Sequence, residues 1–170
     1  MFSSAVRTAA DLTADQNEAV EFMYNNPFSA LFLDVGFGKT AITLTVLRRL
    51  IVDEHYQGKI LIIAPIRVAT RVWPQEPGLW THLCWMRPLV LRVEDDDPRL
   101  LALPRNQRTA EKARLRAELV KSSEQIHVID YHAVDWLVAE CAKTKKWPYR
   151  VVVFDESSRL RDTIPWCSRR

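Results

Sequence analysis

The run Lys59-Ile60-Leu61-Ile62-Ile63-Ala64-Pro65 constrains this chain more than any other stretch. Five successive apolar residues, three of them isoleucine, leave no polar face for water. A strand covered on both sides accommodates that pattern, and such strands belong to parallel sheets. Gln125-Ile126-His127-Val128-Ile129-Asp130 and Arg150-Val151-Val152-Val153-Phe154-Asp155 repeat it, and Leu89-Val90-Leu91-Arg92-Val93 offers another strand. Helical segments are predicted between them. Ala41 to Ile51 carries apolar residues at 42, 44, 46, 47, 50 and 51, and residues 106–121 place Ala110, Ala113, Ala117 and Val120 on one side. Residues 132–142 form another helix, and residues 66–80 begin as one and are broken by Pro74 and Pro77. Strand–helix alternation predicts an α/β fold, a mostly parallel sheet with helices on both faces.

The 170 residues suit one domain with one sizeable core, and 48% hydrophobic with 26% charged residues is an ordinary globular composition. That excludes a disordered chain, and no apolar run approaches the ~20 residues of a membrane span. The start, Met-Phe-Ser-Ser-Ala-Val-Arg, lacks the apolar core of a secretory signal, so a cytoplasmic protein is expected, with no membrane partner. Cys84, Cys141 and Cys167 have no metal spacing and read as reduced thiols. Residues 1–158 carry 20 basic and 20 acidic side chains. Arg159, Arg161, Arg169 and Arg170 against Asp162 make 159–170 a basic tail that supplies the whole net charge of +3. The acidic run Glu94-Asp95-Asp96-Asp97 reads as a solvated turn.

Only four glycines occur, and Gly36 and Gly38 stand two apart, between the strand-like Ala30-Leu31-Phe32-Leu33 and the helix that starts near Ala41. Strand, glycine loop, helix is the setting of a phosphate-binding loop, in which backbone N–H groups and a helix N-terminus face the anion. Lys39 is placed to reach the β- and γ-phosphates and the Thr40 hydroxyl to ligate Mg²⁺. The full pattern departs at its first position, where Leu33 stands for glycine. Val151-Val152-Val153-Phe154-Asp155-Glu156, read as a buried strand, delivers two carboxylates at its C-terminal end, where ligands bind in open α/β sheets. Asp155 would hold Mg²⁺ and Glu156 would polarise the attacking water.

Taken in order, these segments resemble the first RecA-like lobe of superfamily 2 helicases, specifically Swi/Snf-type translocases encoded by bacteriophages, over about residues 12–161. Leu12-Thr13-Ala14-Asp15-Gln16-Asn17-Glu18-Ala19-Val20 looks like the opening segment whose glutamine reads adenine, here Gln16. Leu33 to Thr40 is similar to motif I. Ile63-Ala64-Pro65-Ile66-Arg67-Val68-Ala69, with Trp73, Glu76 and Trp80, looks like motif Ia, which touches the DNA backbone, with Arg67 the candidate contact and the tryptophans core residues. Ile126 to Tyr131 resembles a block that usually ends Asn-Tyr, with Asp130 the departure; Asp155-Glu156-Ser157-Ser158 stands for Asp-Glu-Ala-His. The resemblance implies ATP and Mg²⁺ as cofactors. It places Gln16, Gly36, Gly38, Lys39 and Thr40 on the nucleotide, Thr40 and Asp155 on the metal, and Lys39 and Glu156 in catalysis.

After motif II the family continues to a motif III strand, which lies between the motif I and motif II strands of its sheet. This sequence runs Arg159-Leu160-Arg161-Asp162-Thr163-Ile164-Pro165-Trp166-Cys167-Ser168-Arg169-Arg170 instead, without motif III or the second lobe. Residues 1–170 therefore read as a single truncated lobe, incomplete at its C-terminal end. A lobe without that strand must pair the 30–34 and 150–155 strands directly or leave an edge open. It is not expected to be a competent ATPase or helicase alone, and it binds DNA weakly through motif Ia. Two roles follow. One is the ATP-binding lobe of a DNA helicase or translocase that works with a second lobe. The other is a stand-alone phage protein, derived from such a lobe, that binds and inhibits a host nucleic-acid-processing or defence complex, for example as an anti-CRISPR inhibitor. In the second role a helix starts at Ser157 or Ser158, Pro165 stops it, and Trp166 covers an apolar edge or a partner.

Overall fold

The structure, a computed structural model, describes residues 6–157. The expectations for Ser158, Pro165, Trp166 and the basic tail lie outside the described residues. The chain divides into two compact units, Met1–Gln57 with Arg71–Pro88, and Gly58–Thr70 with Leu89–Arg170.

In the first unit, helix α1 (Ala14–Asn25) packs on helix α2 (Lys39–Val52). Ala19 and Val20 of α1 and Ile42 and Val46 of α2 form a buried cluster closed by Met23, Leu31, Leu33 and Phe37. An Arg49–Glu21 ion pair of 2.5 Å and the Arg49 guanidinium, 3.8 Å over the Tyr24 ring, fasten the outer side. Trp73 and Trp80 are buried, as their reading as core residues requires, with Trp80 Nε1 donating to Glu76 Oε1 at 3.0 Å. Pro74 and Pro77 divide 68–79 into a π-helical turn (Val68–Val72), a three-residue helix (Trp73–Gln75) and a 3-10 turn (Glu76–Leu79).

The strand read at 30–33 does not form; these residues have no regular structure. An extended segment becomes a strand only when a neighbour accepts its backbone hydrogen bonds, and among the described residues none pairs with it. Its alternation survives without the ladder: Leu31 and Leu33 pack against the α1–α2 cluster while Phe32 is 90% exposed.

The second unit is a four-stranded, wholly parallel sheet in the order β2-β3-β1-β4, from β1 (Lys59–Ala64), β2 (Leu89–Val90), β3 (Ile126–Asp130) and β4 (Tyr149–Phe154). Central β1 is buried on both faces from Ile60 to Ala64, the burial its continuous apolar run calls for. Leu61, Ile63, Leu91 and Ile129 meet Leu137 and Cys141 of helix α4 (Val134–Thr144), with Leu119 and Val120 of helix α3 (Arg105–Lys121) packed alongside.

Three further expectations change. On α3, Leu115 and Leu119 meet Val93 and Leu100, and of the expected side Val120 is packed whereas Ala110 and Ala113 are exposed. A leucine buries more apolar area per position than an alanine, so the stripe with leucines turns inward. Strand β2 is two residues long, because Arg92 N–H turns back to Val90 O at 2.8 Å after Leu91 N–H bonds Val128 O. Strand β4 is not buried throughout: it is an outer strand, with Tyr149 buried but Val152 37% and Phe154 47% exposed. The acidic run is a solvent-side turn, in which Asp97 caps Pro98–Leu101 by accepting from Arg99 N–H at 2.9 Å.

Candidate functional site

The glycine loop belongs to the first unit. Gly36 and Gly38 both lie in left-handed backbone, φ 86° and 82°, where a side chain is strained. A Cβ on Gly38 would also stand 2.7 Å from Gln16 Nε2. Gly38 is the N-cap of α2, so Lys39 and Thr40 form the first turn of a 14-residue helix, at its positive dipole end.

Two interactions shape the loop. Lys39 Nζ donates to Leu33 O at 2.7 Å and to Asp34 O at 2.8 Å, which curls the loop around the ammonium. Gln16 holds it from outside. Its Oε1 accepts from Thr13 N–H at 3.0 Å, its Nε2 donates to Phe37 O at 2.9 Å, and its own N–H bonds Thr13 Oγ1 at 3.2 Å. The first and third of these make the capping box of α1, and the second ties the start of that helix to the loop. Gln16, Gly36, Gly38, Lys39 and Thr40 are therefore gathered in one place. Thr13, to which the sequence reading gave no part, is what orients Gln16; its signal was Thr-x-x-Gln ahead of a helical run.

The paired carboxylates belong to the second unit. Beyond β4, Asp155 N–H donates to Ile63 O at 2.8 Å, and Asp155 O accepts from the Tyr131 hydroxyl at 2.6 Å. Tyr131 follows β3, where Asp130 Oδ1 accepts from His132 N–H at 3.1 Å and starts the turn into α4. Tyr131 is thus a positioning residue that the reading quoted without a role. Glu156 is exposed at φ 55°, left-handed backbone that a non-glycine residue rarely adopts. Arg67 is exposed two residues past Pro65, whose carbonyl accepts from both Val68 and Ala69 N–H at 2.8 Å. The C-terminal ends of β1, β3 and β4 therefore gather Arg67, Asp130, Tyr131, Asp155 and Glu156, on the side where ligands of open α/β sheets bind. Among the described residues no group of three or more His, Cys, Asp or Glu converges as a metal site.

The donor set of the first unit fits a phosphate chain. Two left-handed glycines leave positions 36 and 38 without side chains, an ammonium is held on backbone carbonyls that an anion can replace, and a hydroxyl stands in the first helical turn.

Residues 15–165 match the family model of the SNF2-related domain. The chain is 30% identical over 135 residues to "Putative protein p41" of Acyrthosiphon pisum secondary endosymbiont phage 1, covering 78% of this chain and 25% of that protein. It is 24% identical over 156 residues to "Probable ATP-dependent DNA helicase CHR23" of Arabidopsis thaliana, covering 89% of this chain and 13% of that one. The chain thus spans a quarter or less of the length of these relatives.

Proposed function

The chain belongs to the SNF2-related domain family, and from that premise we propose that it is the ATP-binding first lobe of a phage-type DNA helicase or translocase. The observation that supports this most is the Lys39 ammonium seated on Leu33 O and Asp34 O within a loop of two left-handed glycines. In the proposed complex Lys39 exchanges those carbonyls for the β- and γ-phosphates, and the N–H groups opening α2 face the same anion. Gln16 takes the adenine by giving up Phe37 O while Thr13 N–H keeps its Oε1 fixed. Thr40 and Asp155 are, each by its own motif, candidate Mg²⁺ ligands, and the metal would neutralise phosphate charge when bound. Glu156 is the candidate for polarising water, with its backbone anchored next door by Tyr131 on Asp155 O. Arg67 is the candidate contact to a DNA phosphate. The inhibitor reading looks to residues 163–170 for its partner contacts, and these lie outside the described residues.

The test is nucleotide affinity of the purified chain with Mg²⁺, by calorimetry, for the native sequence and Lys39→Ala. Losing a charged hydrogen-bond donor worth ~1.5–3 kcal/mol should weaken binding roughly 10- to 100-fold. Equal affinity in the two proteins would remove Lys39 from the nucleotide and this function with it.

A further inference from the structure

The turn that carries α4 over into β4 takes no part in the proposed nucleotide site. It lies at the start of β4, the end of the sheet opposite Arg67, Asp155 and Glu156. Between Cys141 and Phe154 the sequence has Lys143, Lys145, Lys146 and Arg150 and no acidic residue. Elsewhere in this unit several bases are answered by acids, Arg92 by Glu94, Lys112 by Asp95 and Arg114 by Glu111 and Glu118. Here Lys143 has Glu140, whereas Lys145 and Lys146 are exposed and have no ion-pair partner among the described residues. Lys145 N–H bonds Ala142 O at 3.1 Å and Lys146 N–H bonds Cys141 O at 3.3 Å, the closure that ends a helix on a left-handed residue. That residue is Lys145, at φ 53°, where glycine is the unstrained choice. A charge therefore stands at a position that backbone energetics gives to glycine. Two residues on, Trp147 is 49% exposed. Its ring is fixed against buried Tyr149, with centroids 5.3 Å apart and planes at 70°.

We propose that this turn binds single-stranded nucleic acid, with Trp147 stacked on an unpaired base and Lys145 and Lys146 on the flanking phosphates. An aromatic face beside unanswered cations suits such a strand, since every base has a π-face and every link a negative charge. In a duplex the base faces are already stacked on one another, so the indole gains nothing there and only the lysines contribute. An acidic peptide would answer the lysines and leave the indole without a planar partner. Two phosphates and one base make a small contact, so the binding is weak and indifferent to sequence. The turn uses no residue of the glycine loop, and its binding does not depend on ATP.

Fluorescence anisotropy of the full 170-residue chain with labelled oligothymidylate, a duplex of equal length and poly-glutamate tests this. Oligothymidylate is expected to bind most tightly, with a logarithmic salt slope of about −1.4 for two phosphate contacts on a single strand. Trp147→Ala should weaken it roughly 5- to 150-fold, the worth of one stacked base, and Trp147→Phe should recover most of that loss. Lys145→Gly should flatten the slope by about 0.7 while its urea midpoint holds or rises, because glycine relieves the left-handed backbone. Nucleotide affinity should be the same in Trp147→Ala as in the native protein, so a failure here is distinct from a failure of the nucleotide reading. A duplex that binds as tightly as the single strand overturns the proposal. So does a Trp147→Ala protein that binds undiminished with an unchanged circular dichroism spectrum, or a Lys145→Gly protein that keeps the native slope. Poly-glutamate binding as well as oligothymidylate would also overturn it and make the turn a site for acidic protein segments.

Discussion

His127 stands in the middle of the sheet with no exposed surface, and its two ring nitrogens are both engaged. Nδ1 lies 2.8 Å from the Tyr149 hydroxyl, and Nε2 lies 3.0 Å from Ser122 Oγ and 3.3 Å from Lys59 Nζ. An ammonium only donates, so Nε2 accepts and the imidazole is neutral with its proton on Nδ1. Burial first, and then the nearby Lys59, lower its pKa from 6.5 to about 4. Unfolded chains therefore bind more protons than folded ones between pH 6.5 and 4. The stability that comes from keeping His127 neutral is complete above pH 6.5 and drains away as pH falls through that window, by up to about 3 kcal/mol. Urea unfolding at pH 7, 5.5 and 4.5 should show the decline in the native protein and a flatter profile in His127→Gln; parallel profiles would detach the histidine from it. A second residue-scale expectation concerns Gly38→Ala. A left-handed alanine costs ~1–2 kcal/mol, and its methyl displaces the Gln16 amide, so nucleotide affinity should fall together with the melting temperature. The pairing of His127 with Lys59 could not be read from the sequence, because it joins residues far apart in the chain, and Gln16 was brought to Gly38 only by the family resemblance.

At the scale of elements, the cap of α1 carries more than a helix start. Removing the Thr13 hydroxyl should cost ~1 kcal/mol of stability, as N-caps generally do. It should also loosen the Gln16 amide whose other end holds Phe37 O. Thr13→Ser keeps the oxygen and should restore both properties, whereas Thr13→Ala should show lower stability by urea titration and weaker adenine discrimination in nucleotide competition. Discrimination intact in Thr13→Ala would leave the cap a purely structural device. The elements themselves were legible to different degrees, for reasons that particular residues show. Strand β1 was plain because Ile60 to Ala64 is buried on both faces, and α2 because glycine and lysine mark its first turn. Residues 30–33 and 151–154 have the same apolar character, yet among the described residues no strand pairs with the first, and the second sits at an edge. Composition records how apolar a segment is, while strand formation depends on a neighbour that composition does not specify. In α3 the alanines Ala110 and Ala113 suggested a face that Leu115 and Leu119 displaced. The candidate site was legible where it is local, in Gly36 to Thr40 and Asp155-Glu156, and hidden where Thr13 and Tyr131 brace it from other elements.

For the molecule as a whole, charge bears on the interaction that the family most suggests, contact with DNA. Residues 1–158 balance at 20 basic and 20 acidic side chains, and the second unit offers Arg67 exposed beyond its central strand. Several other arginines are already committed: Arg92 to Glu94, Arg99 to Asp97, and Arg114 to both Glu111 and Glu118. DNA affinity depends on how many phosphates are neutralised, since each contact releases condensed counterions and steepens the salt dependence by ~0.9 in the logarithmic slope. Two such contacts correspond to roughly a tenfold loss of affinity between 50 and 200 mM salt, against the 10³–10⁵ of proteins that make six to ten. The chain should therefore bind duplex DNA weakly, without sequence preference and with a shallow slope. Arg67→Ala should lower that slope by about one unit and weaken every sequence alike, as the loss of a phosphate contact does. Fluorescence anisotropy with two unrelated duplexes across that salt range measures all three quantities. A steep slope, or a slope that Arg67→Ala leaves unchanged, would move the DNA contact away from the end of β1 and onto a different surface of the chain.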